Sequence, residues 1–112
     1  MQLDIKEIKT LYSIYKVLYQ KKVMLDNRAK LGTISFNKSE IKISTKQLKQ
    51  DQIETLFHEY IHILFEELEI EPLEEREVNA LSRSLVKFIK ENRELIEIIL
   101  DYKGEKVSGR NL

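Results

Sequence analysis

The chain has 112 residues, 42% of them apolar and 34% charged, which suits one small domain with a modest core and is too short for two. Nineteen Lys and Arg residues balance nineteen Asp and Glu, so net charge gives no argument for nucleic acid or an anionic membrane as partner. Cysteine is absent, no apolar run reaches the length of a membrane span, and no signal peptide is read at the N-terminus. Disulfides and thiolate chemistry are therefore excluded, and a reducing, cytoplasmic setting is the expectation.

Residues 1–23 carry two competing signals. Ile5, Ile8, Tyr12, Tyr15 and Tyr19 recur at helical spacing. Residues 11–19, however, are rich in β-branched and aromatic side chains that suit a pleated strand. The reading adopted is a strand over 12–19, preceded by a helical or extended arm. Asp26-Asn27 and Gly32 punctuate the next stretch as turns. Residues 33–36 and 40–44 each alternate apolar with polar, and Asn37-Lys38-Ser39 between them reads as a reversal. The pair predicts a β-hairpin with Ile34, Phe36, Ile41 and Ile43 turned inward.

A helix is predicted from near Lys49 to Leu68, with Asp51 and Glu54 in its first turns, where negative charge suits the helix dipole. Ile53, Leu56, Phe57, Tyr60, Ile61, Leu64 and Leu68 give it a broad apolar arc, and His58 and His62 lie at one margin beside Phe65. Glu71-Pro72 ends it, because proline biases the preceding residue away from helical angles. A second helix runs from Leu73 or Glu74 to Glu91, with Val78, Leu81, Leu85, Phe88 and Ile89 as the expected buried stripe. Asn92 breaks it, and a short third helix over 94–102 follows through Leu95, Ile98 and Ile99. The expected whole is a minimal α+β domain over residues 1–103: a small antiparallel sheet packed on the first helix and one or two more. A polar tail, 104–112, is expected to be disordered.

The chemistry sits in His58-Glu59-Tyr60-Ile61-His62. Residues four apart stand one above the other on a helix, so both imidazoles reach one point and can supply two nitrogens to a single metal ion, typically zinc. Glu59 is placed to take a proton from an activated water. The pattern is the H-E-x-x-H of zinc peptidases, although three fixed letters also arise by chance in glutamate-rich helices. A catalytic zinc takes three protein ligands. The chain has two histidines, so a carboxylate must supply the third, and Glu74, Glu75 and Glu77 at the start of the second helix are the candidates. Periodicity does not choose among them, and acidic residues favour any helix N-terminus.

The run Thr55-Leu56-Phe57-His58-Glu59-Tyr60-Ile61-His62, followed by Glu75-x-x-Val78-Asn79-x-Leu81, resembles the small ImmA/IrrE-type metallopeptidases carried by phages and integrative elements. Gly32-Thr33-Ile34-Ser35-Phe36 and Ile41-Lys42-Ile43 are similar to that family's glycine-led hairpin, so the resemblance spans roughly residues 12–92. It implies a zincin-like domain with one zinc ion held by His58 and His62 and with Glu59 as catalytic base. Glu75, three residues before the Val-Asn pair, is the best match for the family's third ligand. Where longer members have alanine-asparagine-x-phenylalanine-alanine, this chain has Val78-Asn79-Ala80-Leu81-Ser82, which keeps Glu77 in contention.

The resemblance further implies hydrolysis of a peptide bond in a protein substrate, such as a repressor of a phage or mobile element; the neutral charge leads to the expectation of no nucleic-acid or membrane partner. The alternative expectation is a catalytically inactive domain that binds zinc or another protein. The oligomeric state stays open.

Overall fold

The fold is described from a computed structural model over residues 2–104. The expected tail therefore lies, Gly104 apart, outside the described residues. The chain forms a small α+β domain with six strands and three helices in this range. Strands β1 (Glu7–Lys9), β2 (Ile14–Gln20), β5 (Gly32–Ser35) and β6 (Glu40–Ser44) build one sheet in the order β1-β2-β6-β5. Strands β3 (Val23–Leu25) and β4 (Arg28–Lys30) form a separate hairpin. Helices α1 (Lys49–Leu68), α2 (Glu75–Glu91) and α3 (Arg93–Asp101) follow. None of the helices among the described residues is long and apolar enough to cross a membrane.

The ambiguous N-terminal stretch resolves as an extended arm, β1, and then β2, so β-branched and aromatic preference prevails over the helical spacing. In β2, Tyr15 and Val17 are buried and Tyr19 half-buried, while the residues between them face solvent. Val17 lies opposite Ile41 and Tyr19 opposite Ile43, and all four belong to the core that receives Leu56 and Ile63 of α1. That pairing is parallel. The sheet is therefore mixed, which corrects the expected antiparallel one. The chain crosses over between β2 and β6 through the β3–β4 hairpin and β5, a connection whose length a parallel neighbour requires.

The β3–β4 hairpin escaped sequence reading. Its turn residues, Asp26 and Asn27, both have positive φ (53° and 63°), the two-residue type I′ geometry for which Asn and Asp are tolerant. The β5–β6 hairpin forms as expected, with Ile41 and Ile43 buried and Ile34 packed against the core. Phe36 does not turn inward. It follows the last residue of β5, sits in the connecting turn and is 46% exposed.

Helix α1 is anchored on both sides. Gln52 is buried, accepts a hydrogen bond from the Leu3 amide at 2.9 Å and donates to the Gln47 carbonyl at 3.1 Å. At the other end Glu67 accepts from the Thr10 hydroxyl (2.7 Å) and from the amides of Leu11 (3.1 Å) and Tyr12 (3.3 Å). These donors explain one of the acidic residues at a helix C-terminus, where the dipole disfavours negative charge. The helix ends with Glu69 in the left-handed region (φ 55°). The amides of Glu69 and Ile70 there bond back to the carbonyls of Glu66 and Phe65, a Schellman closure usually made by glycine.

Helix α2 packs along α1 through Val78, Ser82 and Val86, spaced by four as in ridge-into-groove packing. This corrects the expected buried stripe: of its members, Val78 is buried, whereas Leu81, Leu85, Phe88 and Ile89 are exposed. The apolar arc of α2 is wider than one neighbouring helix can cover. Helix α3 has no buried residue and adjoins the end of α2.

Candidate metal centre

Three residues on two helices converge. On α1, His58 and His62 stand one turn apart with their Nε2 atoms 3.2 Å from each other. From the first turn of α2, the carboxylate of Glu75 spans the pair, Oε2 lying 3.0 Å from His58 Nε2 and Oε1 2.9 Å from His62 Nε2. Among the described residues these three form the group with metal-ligand spacing. Ligand atoms about 2.0–2.1 Å from a tetrahedral centre lie about 3.3 Å apart, so the observed separations suit a single small cation.

The other two candidate glutamates are engaged elsewhere. Glu74 and Glu77 form a reciprocal capping box, in which the Glu77 carboxylate accepts from the Glu74 amide at 3.0 Å and the Glu74 side chain caps the Glu77 amide. The box satisfies orphan amides of the first turn. It thereby fixes the orientation from which Glu75 reaches across to α1.

Asn79, one turn beyond Glu75 on α2, places its Oδ1 2.8 Å from His58 Nδ1. With a carbonyl oxygen there, Nδ1 carries the proton and donates, leaving the Nε2 lone pair directed at Glu75 and His62. Sequence reading quoted Asn79 without giving it this part. The signal was present in its i, i+4 relation to Glu75, since histidine ligands generally donate their second nitrogen to such a partner.

Glu59 lies against Gly32 of β5 and is 7% exposed. Burial, and then the negative charge of Glu75, push its carboxyl up from 4.5 to about 7. The close approach of β5 depends on Gly32. A Cβ there would meet Thr55 Cγ2 at 2.6 Å and the Lys42 carbonyl at 3.2 Å, with Glu59 Cγ at 3.5 Å. Thr55 is itself held by a hydroxyl bond to Gln47 Oε1 at 2.9 Å.

All four groups open onto one cleft of about 900 Å³. Gly32, Thr33 and Ile34 of β5 form one wall, Phe65, Ile70 and Pro72 contribute apolar surface, and Lys30 and Arg83 bring cations. Because β5 is the last strand of its sheet, its outer edge has no sheet partner among the described residues. Comparison with protein-family models, curated proteins and solved structures returned no match.

Proposed function

We propose that this chain is a zinc-dependent peptidase of the ImmA/IrrE kind, acting on a protein segment presented in extended form. The observation that carries the reading is the convergence of His58, His62 and Glu75 beside a buried Glu59. His58, His62 and Glu75 would hold the zinc ion, which would supply Lewis acidity at the site. Glu59 accepts the proton of the attacking water and returns it to the amine nitrogen as the C–N bond breaks. Asn79 holds His58 in the tautomer that ligates. The free edge of β5 offers backbone donors and acceptors to an extended substrate by strand addition. The identity of that substrate as a repressor of a phage or mobile element follows from the resemblance alone.

One feature of the cleft favours a second reading, a domain that binds metal or a partner without hydrolysis. Among the described residues lining it, none is a tyrosine or a third histidine able to stabilise an oxyanion. Both readings are tested by elemental mass spectrometry of the metal-reconstituted chain together with its variants. About one zinc per chain is expected, lost in His58→Ala and in Glu75→Ala and retained in Glu59→Gln. Absence of metal from the wild type would overturn the peptidase reading and leave a domain that binds a partner. Retained metal with substrate cleavage that survives Glu59→Gln would overturn the assigned role of Glu59.

A further inference from the structure

The ladder between β5 and β6 decides which backbone groups of the edge strand are free. The Ser44 amide donates to the Leu31 carbonyl at 2.8 Å, and the register sets Gly32 opposite Ile43, Thr33 opposite Lys42 and Ile34 opposite Ile41. Opposed residues in an antiparallel ladder alternate between bonded and non-bonded pairs. Leu31 and Thr33 therefore turn their amides and carbonyls toward β6. Gly32 and Ile34 turn theirs outward, to an edge with no sheet partner among the described residues. The side-chain positions of these two face α1: a Cβ on Gly32 would meet Thr55 and Glu59, and Ile34 packs against the core. Residues directly opposite each other share a face of the sheet. An extended peptide laid antiparallel to β5 thus bonds to Gly32 and Ile34 through alternate residues. It turns those two side chains into the cleft and the one between them away from it.

The direction of β5 says what the second of those side chains meets. The Leu31 carbonyl receives the Gln47 side chain at 3.2 Å, just ahead of α1, and Gly32 lies against Thr55 and Glu59. The strand therefore runs along α1 toward its C-terminal turns, and Ile34 stands nearer that end. There the helix closes with the Ile70 amide bonded to the Phe65 carbonyl at 3.2 Å, a closure in which the side chains of these two positions commonly touch. Phe65, Ile70 and Pro72 all line the cleft, and Ile70 is 50% exposed. Phe65 is three residues beyond His62, roughly 4.5 Å along the helix axis, a distance that one or two extended residues span. The apolar surface is thus continuous with the metal group and adjoins the place of the reacting bond.

We propose that Phe65, Ile70 and Pro72 form a specificity subsite, which selects an apolar side chain at the substrate residue paired with Ile34. The substrate class is then an extended peptide segment read at alternate residues, with its apolar residue next to the bond that is cleaved. The proposal rests on the cleft being the substrate site of a peptidase and adds to that reading the residues that set its preference. Ile70 is the most direct handle, because it stands half in solvent in the α1–α2 connection and ligates nothing.

Binding and cleavage are measured separately on the full chain loaded with zinc. Binding is read by fluorescence anisotropy on Glu59→Gln, with labelled, capped peptides of serine and alanine that carry one central leucine, lysine or aspartate. The leucine peptide is expected to bind about tenfold or more tightly than the aspartate peptide. Ile70→Glu, introduced beside Glu59→Gln, is expected to transfer the preference to the lysine peptide, a gain that misfolding does not produce. N-methylation of the leucine peptide, one amide at a time, is expected to weaken binding at every second position around the leucine. Cleavage is read by mass spectrometry of a randomised peptide mixture treated with the otherwise unaltered chain, where an apolar residue is expected within two residues of the cut. Binding with this preference but no cleavage would keep the subsite and overturn the peptidase reading. Cleavage with no apolar preference would overturn the subsite and keep the peptidase reading. A leucine preference untouched by Ile70→Glu would overturn the subsite, as would absence of binding, and equal losses at adjacent N-methylated positions would overturn the pairing with β5.

Discussion

Glu59 is buried, acidic and, in the metal-free chain, close to the charge of Glu75, so it should weaken the very fold that holds it. Its carboxyl rises from 4.5 to about 7 on folding. The folded state then binds more protons than the unfolded state between those two values, and stability must fall as pH rises through that window. The contribution is fully favourable below 4.5, declines from there to about 7 and stays lost above it. A difference of about 2.5 units corresponds to about 3 kcal/mol, a large share of the stability of a small domain. Glu59→Gln keeps the shape and removes the titration. The assay is urea unfolding of the chelator-treated protein, wild type beside variant, from about pH 5 to pH 8. The variant should gain little at the acid end and about 2–3 kcal/mol at the alkaline end, and taking the difference at each pH cancels the titrating groups that do not interact with Glu59. A stability difference independent of pH would refute the argument, because a carboxyl with an ordinary pKa in the folded chain gives no such slope.

Three further outcomes follow from the same geometry. Asn79→Ala should weaken zinc binding by about 10–100-fold by releasing the His58 tautomer, measured by competition with a chromophoric chelator; an unchanged affinity would remove Asn79 from the site. Gly32→Ala should cost about 1–3 kcal/mol in chemical denaturation, since the added methyl meets Thr55 Cγ2 at 2.6 Å and the Lys42 carbonyl at 3.2 Å. A neutral effect there would mean that β5 does not press on α1. Glu69→Gly should stabilise the chain by about 1 kcal/mol, seen as a higher melting temperature, by relieving an L-residue at φ 55° and removing a negative charge from a helix C-terminus.

The helices were legible because their punctuation is local. Asn92 directly follows the last residue of α2, Pro72 lies four residues beyond the last residue of α1, and α1 runs over Lys49–Leu68 as read. The β5–β6 hairpin was legible for the same reason, since alternation and a turn lie within a dozen residues. What failed was non-local. Parallel pairing of β2 with β6 depends on which strands meet after the crossover, and neither strand records it in its own alternation. The face that α2 buries could not be read from hydrophobicity, because α1 accepts the small Val78, Ser82 and Val86 rather than the larger Leu81, Leu85 and Phe88. Close approach between helices selects for size as well as polarity.

The site divides along the same line. The relation between His58 and His62 is one helical turn, so periodicity alone predicts that they converge, and the structure brings their Nε2 atoms to 3.2 Å. The acidic run at the start of α2 held two readings that sequence could not separate, helix-start charges or a metal ligand. The geometry distributes them among the three residues: Glu74 and Glu77 cap the helix reciprocally, and Glu75 between them faces the histidines. The capping and the clustering are then one device. The box fixes the first turn of α2 and so aims Glu75, and the N-terminal dipole of the same helix favours the negative charge that a cation between the helices would require.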